Sequence, residues 1–301
     1  MLPHHVDVAL RRLRRGVAKV AGQLEEAFIS NPELSEQVSD CTGRLPVHEL
    51  VLAVSRDMCT IDKEVINGLI RLTLDQYPQG AGVPDPIGGW FPIHRALKSG
   101  GVKDELYSKL LASSQTDLCN TEDPEKTIPL IRAIRTKDVS ESVLLLLLEH
   151  GGSESVLHRD HGKKGWNALH FACRHKLPIR VVRKIMELAP ECAKAKDILG
   201  ITPLHVAVLS RSCLETIQLL LEYSEKEVED SLHRTPLSIA LRIGQDNPRG
   251  VLDELIANTS SQTLRECALD KFVFPHTGSP DGRHYSRLRD DDFVRGSKNA
   301  Q

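Results

Sequence analysis

Two imidazoles beside a carboxylate can ligate a transition metal, and His158, Asp160 and His161 fall within four consecutive residues. Gly162-Lys163-Lys164-Gly165 follows at once, a glycine- and lysine-rich turn suggestive of phosphate, but without the spacing of a phosphate-binding loop. Asp290-Asp291-Asp292 gathers three carboxylates without the glycine and distal glutamate of a calcium loop. No His-Glu-x-x-His pair and no Gly-x-Ser-x-Gly elbow occurs anywhere in the chain. The seven cysteines (Cys41, Cys59, Cys119, Cys173, Cys192, Cys213 and Cys267) are odd in number and none are spaced as a C-x-x-C clamp, so they read as reduced structural thiols. The chemistry that residue types alone suggest therefore comes to little. The sequence calls for no catalytic residue, no metal and no cofactor, and the His158–His161 group reads as the polar tip of a surface loop.

Composition narrows the class further. The chain has 301 residues, 40% hydrophobic and 27% charged, with a formal net charge of −2. That balance fits a soluble protein and gives no overall pull toward nucleic acid. The longest apolar run is Val143–Leu148, far short of a membrane span. The first residues lack the apolar core of a secretory signal, and Asp7, Glu25 and Glu26 around the Arg11–Arg15 cluster argue against a mitochondrial presequence. A cytoplasmic location is expected, with the nucleus as the other option.

A hexapeptide recurs along the chain. Thr202-Pro203-Leu204-His205-Val206-Ala207 is its fullest form. Related copies are Asn167-Ala168-Leu169-His170-Phe171-Ala172, Phe91-Pro92-Ile93-His94-Arg95-Ala96 and Thr235-Pro236-Leu237-Ser238-Ile239-Ala240. Weaker ones are Ile128-Pro129-Leu130-Ile131-Arg132-Ala133 and Leu45-Pro46-Val47-His48-Glu49-Leu50. Marked by the proline, or by Ala168 in its place, the copies step by 46, 37, 39, 35 and 33 residues. Each letter suits the start of a helix. Thr202 or Thr235 can accept from a backbone N–H of the first turn. Proline follows where its missing donor costs nothing. The small alanine (Ala96, Ala172, Ala207 or Ala240) lets a neighbouring helix approach.

This pattern resembles the ankyrin repeat, whose period is about 33 residues. The resemblance covers roughly residues 43–256 and is strongest in the last three units. It implies an all-α fold: a solenoid of about six irregular helix-turn-helix units, each an inner helix, a turn and an outer helix. It also implies that His48, His94, His170 and His205 are structural, bonding between neighbouring turns. Outer helices are expected at Ile61–Tyr77, Val102–Ser113, Ser140–His150, Pro178–Leu188, Cys213–Tyr223 and Val251–Asn258. Gly80–Gly89, Gly151-Gly152 and Gly162–Gly165 carry turn chemistry between elements. Val143–Leu148, apolar all round, reads as a helix packed on both sides.

Ahead of these units, Val6, Leu10, Leu13, Val17, Val20, Leu24 and Phe28 recur at spacings of 4 and 3 that alternate as far as Leu24, one helical stripe. A coiled coil or a membrane-surface helix would use such a stripe. Pro32 stands 14 residues before Pro46, as Pro78 does before Pro92 and Pro190 stands 13 before Pro203, which places residues 6–29 where an outer helix belongs, so residues 1–42 are read as a single-helix half-repeat capping the stack. Residues 43–258 form the repeat domain. Residues 259–301 form a polar tail expected to be largely disordered, with Phe272-Val273-Phe274 a segment that could dock on the last repeat.

Function then depends on what the stack holds. The resemblance implies binding along the groove and at the finger tips. Four residues past the motif histidine stand Leu52, Lys98, Arg135, Arg174, Leu209 and Arg242, four of the six basic. Two residues before the motif proline stand Arg44, Trp90, Thr127, Trp166, Ile201 and Arg234, a row holding both tryptophans of the chain. Trp and Arg are the types most enriched at binding hot spots. A cationic, Trp-edged groove suits an acidic or phosphorylated segment of a protein partner. The expected function is a non-catalytic protein-interaction scaffold or adaptor, with Arg44, Trp90, Lys98, Arg135, Trp166, Arg174, Arg234 and Arg242 as contact residues. The alternative is a regulatory or substrate-recruiting subunit of an enzyme complex such as a ubiquitin ligase. Neither nucleic acid nor membrane is an expected partner, and the sequence sets no oligomeric state.

Overall fold

The structure, a computed structural model, describes residues 1–13, 17–54, 60–112, 117–136, 139–162 and 165–264. Arg14, Arg15, Cys59, Lys163, Lys164, Cys267, Phe272–Phe274 and the acidic run at 290–292 lie outside the described residues. Of the α-helices among the described residues, fourteen pair off along the chain: α1 (His4–Arg12) with α2 (Val17–Ser30), α3 (Pro46–Ala53) with α4 (Thr60–Gln76), and α5 (Pro92–Ser99) with α6 (Asp104–Ala112). There follow α7 (Pro129–Arg135) with α8 (Glu141–Leu157), α9 (Ala168–His175) with α10 (Ile179–Leu188), α11 (Pro203–Leu209) with α12 (Leu214–Tyr223), and α13 (Pro236–Ile243) with α14 (Val251–Ala257). No strand occurs among the described residues. This is an all-α repeat stack. Residues 1–258 form one unit and 259–301 a second.

All six marked positions open a helix, five of them with proline at the first helical residue. The odd-numbered helices pack successively on one another as an inner row, and the even-numbered helices do the same as an outer row. Each helix thus buries one side against its pair-mate and two flanks against the adjacent units, the nearest-neighbour packing of a solenoid. The core is accordingly a continuous strip of Leu, Ile, Val and Ala, with Leu50, Ile93, Leu97, Leu106, Leu148, Leu169, Leu204 and Leu220 fully buried.

Two expectations need correction. The N-terminal stripe belongs to two helices, not one. Val6 and Leu10 are buried on α1, Leu24 and Phe28 on α2, and the two helices pack against each other. The first, α1, joins the inner row against α3, while α2 joins the outer row against α4. The apolar spacing of 4 and 3 runs unbroken through both elements, and so it hid the break. The second correction concerns α8. It is not one continuous helix: Gly152, at φ 56° and ψ −155°, breaks it at the expected Gly151-Gly152 turn, and a second short helix runs on to Leu157. Its apolar run is not sealed all round either, since Leu145 and Leu146 remain partly exposed.

The segment before each inner helix forms a finger closed by one backbone bond. These bonds are Ser39 N–H to Arg44 O (2.9 Å), Asp85 to Trp90 (2.8 Å), Asp123 to Thr127 (3.0 Å), Asp160 to Trp166 (2.8 Å), Asp197 to Ile201 (2.9 Å) and Asp230 to Arg234 (3.1 Å). The Asp side chain tightens the turn from within. Asp197 Oδ1 accepts from the amides of Leu199 and Ile201, each at 2.8 Å, and Asp230 Oδ1 accepts from those of Leu232 and Arg234.

Candidate protein-binding face

The inner row and the fingers together carry the basic and tryptophan-bearing positions. Four histidines tie the fingers together. The Nε2 of His48 bonds Val83 O (2.9 Å), that of His94 bonds Thr121 O (3.1 Å), that of His170 bonds Ile201 O (3.1 Å), and that of His205 bonds Arg234 O (3.0 Å). In each case the ring reaches from one unit to the finger of the next. The Nδ1 atoms of His48 and His205 accept from the amides of Leu45 and Thr202, both at 3.2 Å. Burial is the main cause that pushes all four rings below the ordinary histidine value, His170 to about 4. They are neutral at physiological pH and spent on structure.

The tryptophan row is not an exposed edge. Trp90 and Trp166 are only 7% and 4% exposed. The Nε1–H of Trp166 donates to Asp197 Oδ2 at 3.0 Å, and its ring stacks on His170 at 5.8 Å and meets the edge of Phe171 at 5.2 Å. Trp90 lies under Arg95 (4.4 Å), Lys98 (4.5 Å) and Arg132 (5.2 Å). The physical reason is general to the row: its backbone carbonyl closes the finger, so its side chain points into the seam between adjacent fingers. Thr127 and Ile201 are buried at the same position. The arginines of the row are tied down as well. Arg44 pairs with Asp85 (2.9 Å) and Glu49 (3.4 Å), and Arg234 bonds Asp230 through Nε (2.9 Å) and Nη2 (2.5 Å). Burial acts against ionisation of Asp85 and Asp230, yet the arginine partners and turn amides hold both carboxyls below the usual range.

The basic row is placed differently. Lys98 on α5 and Arg242 on α13 are exposed, and Arg135 on α7 and Arg174 on α9 are partly so, as are Leu52 and Leu209. Lys98 Nζ lies 2.7 Å from Glu125, and the Arg135 guanidinium sits 5.9 Å from the Phe171 ring. Because α5, α7 and α9 are consecutive in the inner row, Lys98, Arg135 and Arg174 stand on three neighbouring helices at one register.

Sequence reasoning missed the apolar finger tips. Ile87 is 56% exposed, Ile198 70%, Leu199 49% and Leu232 58%. The signal was available: in Asp85-Pro-Ile87-Gly88 and Asp197-Ile198-Leu199-Gly200 the residues between the anchoring Asp and the Gly must lie at the turn's outer end. Burial pushes the Cys119 and Cys192 thiols up to about 12 and that of Cys173 higher still, while Cys41 and Cys213 are exposed and away from any activating base in the hydrogen bonds described.

A family model described as ankyrin repeats, in three copies, matches residues 140–231. Residues 140–231 carry ankyrin repeats. The matched stretch runs from α8 to the finger before α13, so the ankyrin pattern is most regular there, where the hexapeptide steps are closest to 33 residues. Among curated proteins none matches the chain. Among solved structures, a chain in that of the Bd0816 predatory endopeptidase from Bdellovibrio bacteriovorus in complex with immunity protein Bd3460 superposes with a TM-score of 0.51. The similarity covers 64% of this chain and 92% of that one at 14% identity, which is a likeness of fold. Ankyrin repeats generally mediate protein–protein interaction, and no helix among the described residues is long and apolar enough to cross a membrane.

Proposed function

We propose that this chain is a non-catalytic adaptor that holds a protein partner along the inner helices and the finger tips, with an acidic or phosphorylated segment as the preferred ligand. The observation that supports the reading best is the register of Lys98, Arg135 and Arg174 on α5, α7 and α9. Stacked repeats offer extended binding surfaces of this kind. The apolar tips Ile198, Leu199 and Leu232 add contact area at the C-terminal end of the same stack. The two tryptophans, Arg44 and Arg234 act by holding the fingers at fixed spacing. Unpaired buried thiols at Cys119, Cys173 and Cys192 suit a reducing compartment, so we place the adaptor in the cytoplasm or nucleus.

The test is a triple charge reversal, Lys98→Glu, Arg135→Glu and Arg174→Glu, followed by capture of partners by the full chain. The reading expects the partner set to be lost, and binding of the unaltered chain to weaken as salt is raised. An unchanged partner set refutes it.

A further inference from the structure

Glu122, His158 and His161 come from two different fingers and converge. Glu122 immediately precedes Asp123, whose carboxylate fixes that finger by accepting from the Glu125 and Thr127 amides at 2.8 and 3.1 Å. His158 is the residue that ends α8, and His161 lies in the following turn. Glu122 Oε1 is 2.8 Å from His161 Nε2 and 3.7 Å from His158 Nε2, and one donor atom from each residue lies within 4.8 Å of the others. The two imidazole rings meet edge-on at 5.9 Å. The second oxygen of Glu122 faces Lys126 Nζ at 3.6 Å, and that lysine is 68% exposed.

We propose that these three residues bind a divalent transition-metal ion, zinc by preference, as a staple between the two fingers. Two imidazoles and one carboxylate favour zinc over the oxygen-seeking magnesium and calcium. Bonds of 2.0–2.2 Å in a tetrahedron set donor atoms roughly 3.3 Å apart, so the observed separations need adjustments of about 1 Å or less per atom. His161 is 61% exposed and can turn to make them. His158 already holds its Nε2 buried without a hydrogen-bond partner, an arrangement that metal coordination would satisfy. For both rings the coordinating Nε2 gives up its hydrogen to the Nδ1 tautomer, and water fills the fourth position.

The place of the cluster in the stack is a second, independent argument. At four other junctions a motif histidine bonds one unit to the next finger. In the unit α7–α8 that histidine is replaced by Ile131, which is buried and offers no such bond. The contact from Glu122 to His158 and His161 spans the same two fingers that the missing histidine would have joined. A metal there restores, with stronger bonds, the one link this unit lacks.

The experiment uses the tag-free full chain, stripped with chelator and titrated with zinc alone in a calorimeter. One site is expected. Glu122→Gln and His161→Gln should each weaken it at least tenfold, while the double variant Cys41→Ser, Cys213→Ser should bind as the parent does. Cobalt in place of zinc should show no thiolate charge-transfer band. Should His158→Gln fail to fold, the two exposed-side variants carry the test. No uptake of zinc, undiminished binding by Glu122→Gln and His161→Gln, or loss of binding in the cysteine variant would each overturn the proposal.

Discussion

Acid should loosen this stack through its buried histidines, and His170 allows the size to be worked out. Its ring is fully buried, and burial holds its pKa at about 4 against an ordinary value near 6.5. The Ile201 carbonyl, 3.1 Å from Nε2, and the Asp197 carboxylate favour the protonated ring, but burial outweighs them. A ring that stays neutral when folded and charges when unfolded makes the unfolded chain bind more protons between these two values. Stability is therefore complete above about pH 6.5 and falls as pH drops toward 4. At pH 5 the proton-binding polynomial of the unfolded ring exceeds that of the folded one about 30-fold, a loss of about 2 kcal/mol from this residue alone. Urea unfolding of the parent and of His170→Gln at pH 7.5 and pH 5 isolates the effect. The variant starts less stable, having lost a bridging bond, but its further loss on acidification should be smaller than the parent's by about 2 kcal/mol. Equal losses in the two proteins would refute the reasoning, as would a ring titration near pH 6.5 followed by NMR.

Two glycines should respond to alanine with opposite signs. Gly152 sits at φ 56° and ψ −155°, a conformation almost closed to other residues, so Gly152→Ala should cost about 1–3 kcal/mol. Gly22 lies within α2 with open space around a would-be Cβ, so Gly22→Ala should gain up to about 1 kcal/mol. Thermal unfolding checks both, and the same sign for both would contradict the assignment of strain. In metal-free protein the unit that lacks its bridging histidine should open first. Amides of residues 128–150 are expected to exchange faster than those of 166–223, and slower exchange there would count against the role given to the histidine bridges.

The inner helices were readable because a proline or small residue at the first helical position, followed in four of six copies by a histidine two residues on, encodes a local event. The outer helices followed from apolar spacing, with boundaries within two residues; at α8 the glycine pair marks the break, and the short helix after it was not foreseen. What escaped was non-local. The burial of Trp90 and Trp166 depends on which finger packs beside which, and no local pattern states that. Glu122 stands 36 and 39 residues from His158 and His161, so the sequence showed two histidines beside Asp160 and missed the carboxylate that meets them. The N-terminal pair shows the complementary limit, because a perfect apolar period does not reveal where the chain turns back on itself.

The central claim is that partners are held by the inner row. A photo-crosslinking amino acid placed at Leu209 on α11 and, separately, at the exposed Glu187 on α10 tests it most directly. The account predicts adducts from Leu209 that are lost in the triple charge-reversal variant, and none from Glu187. Adducts from Glu187 alone would contradict it.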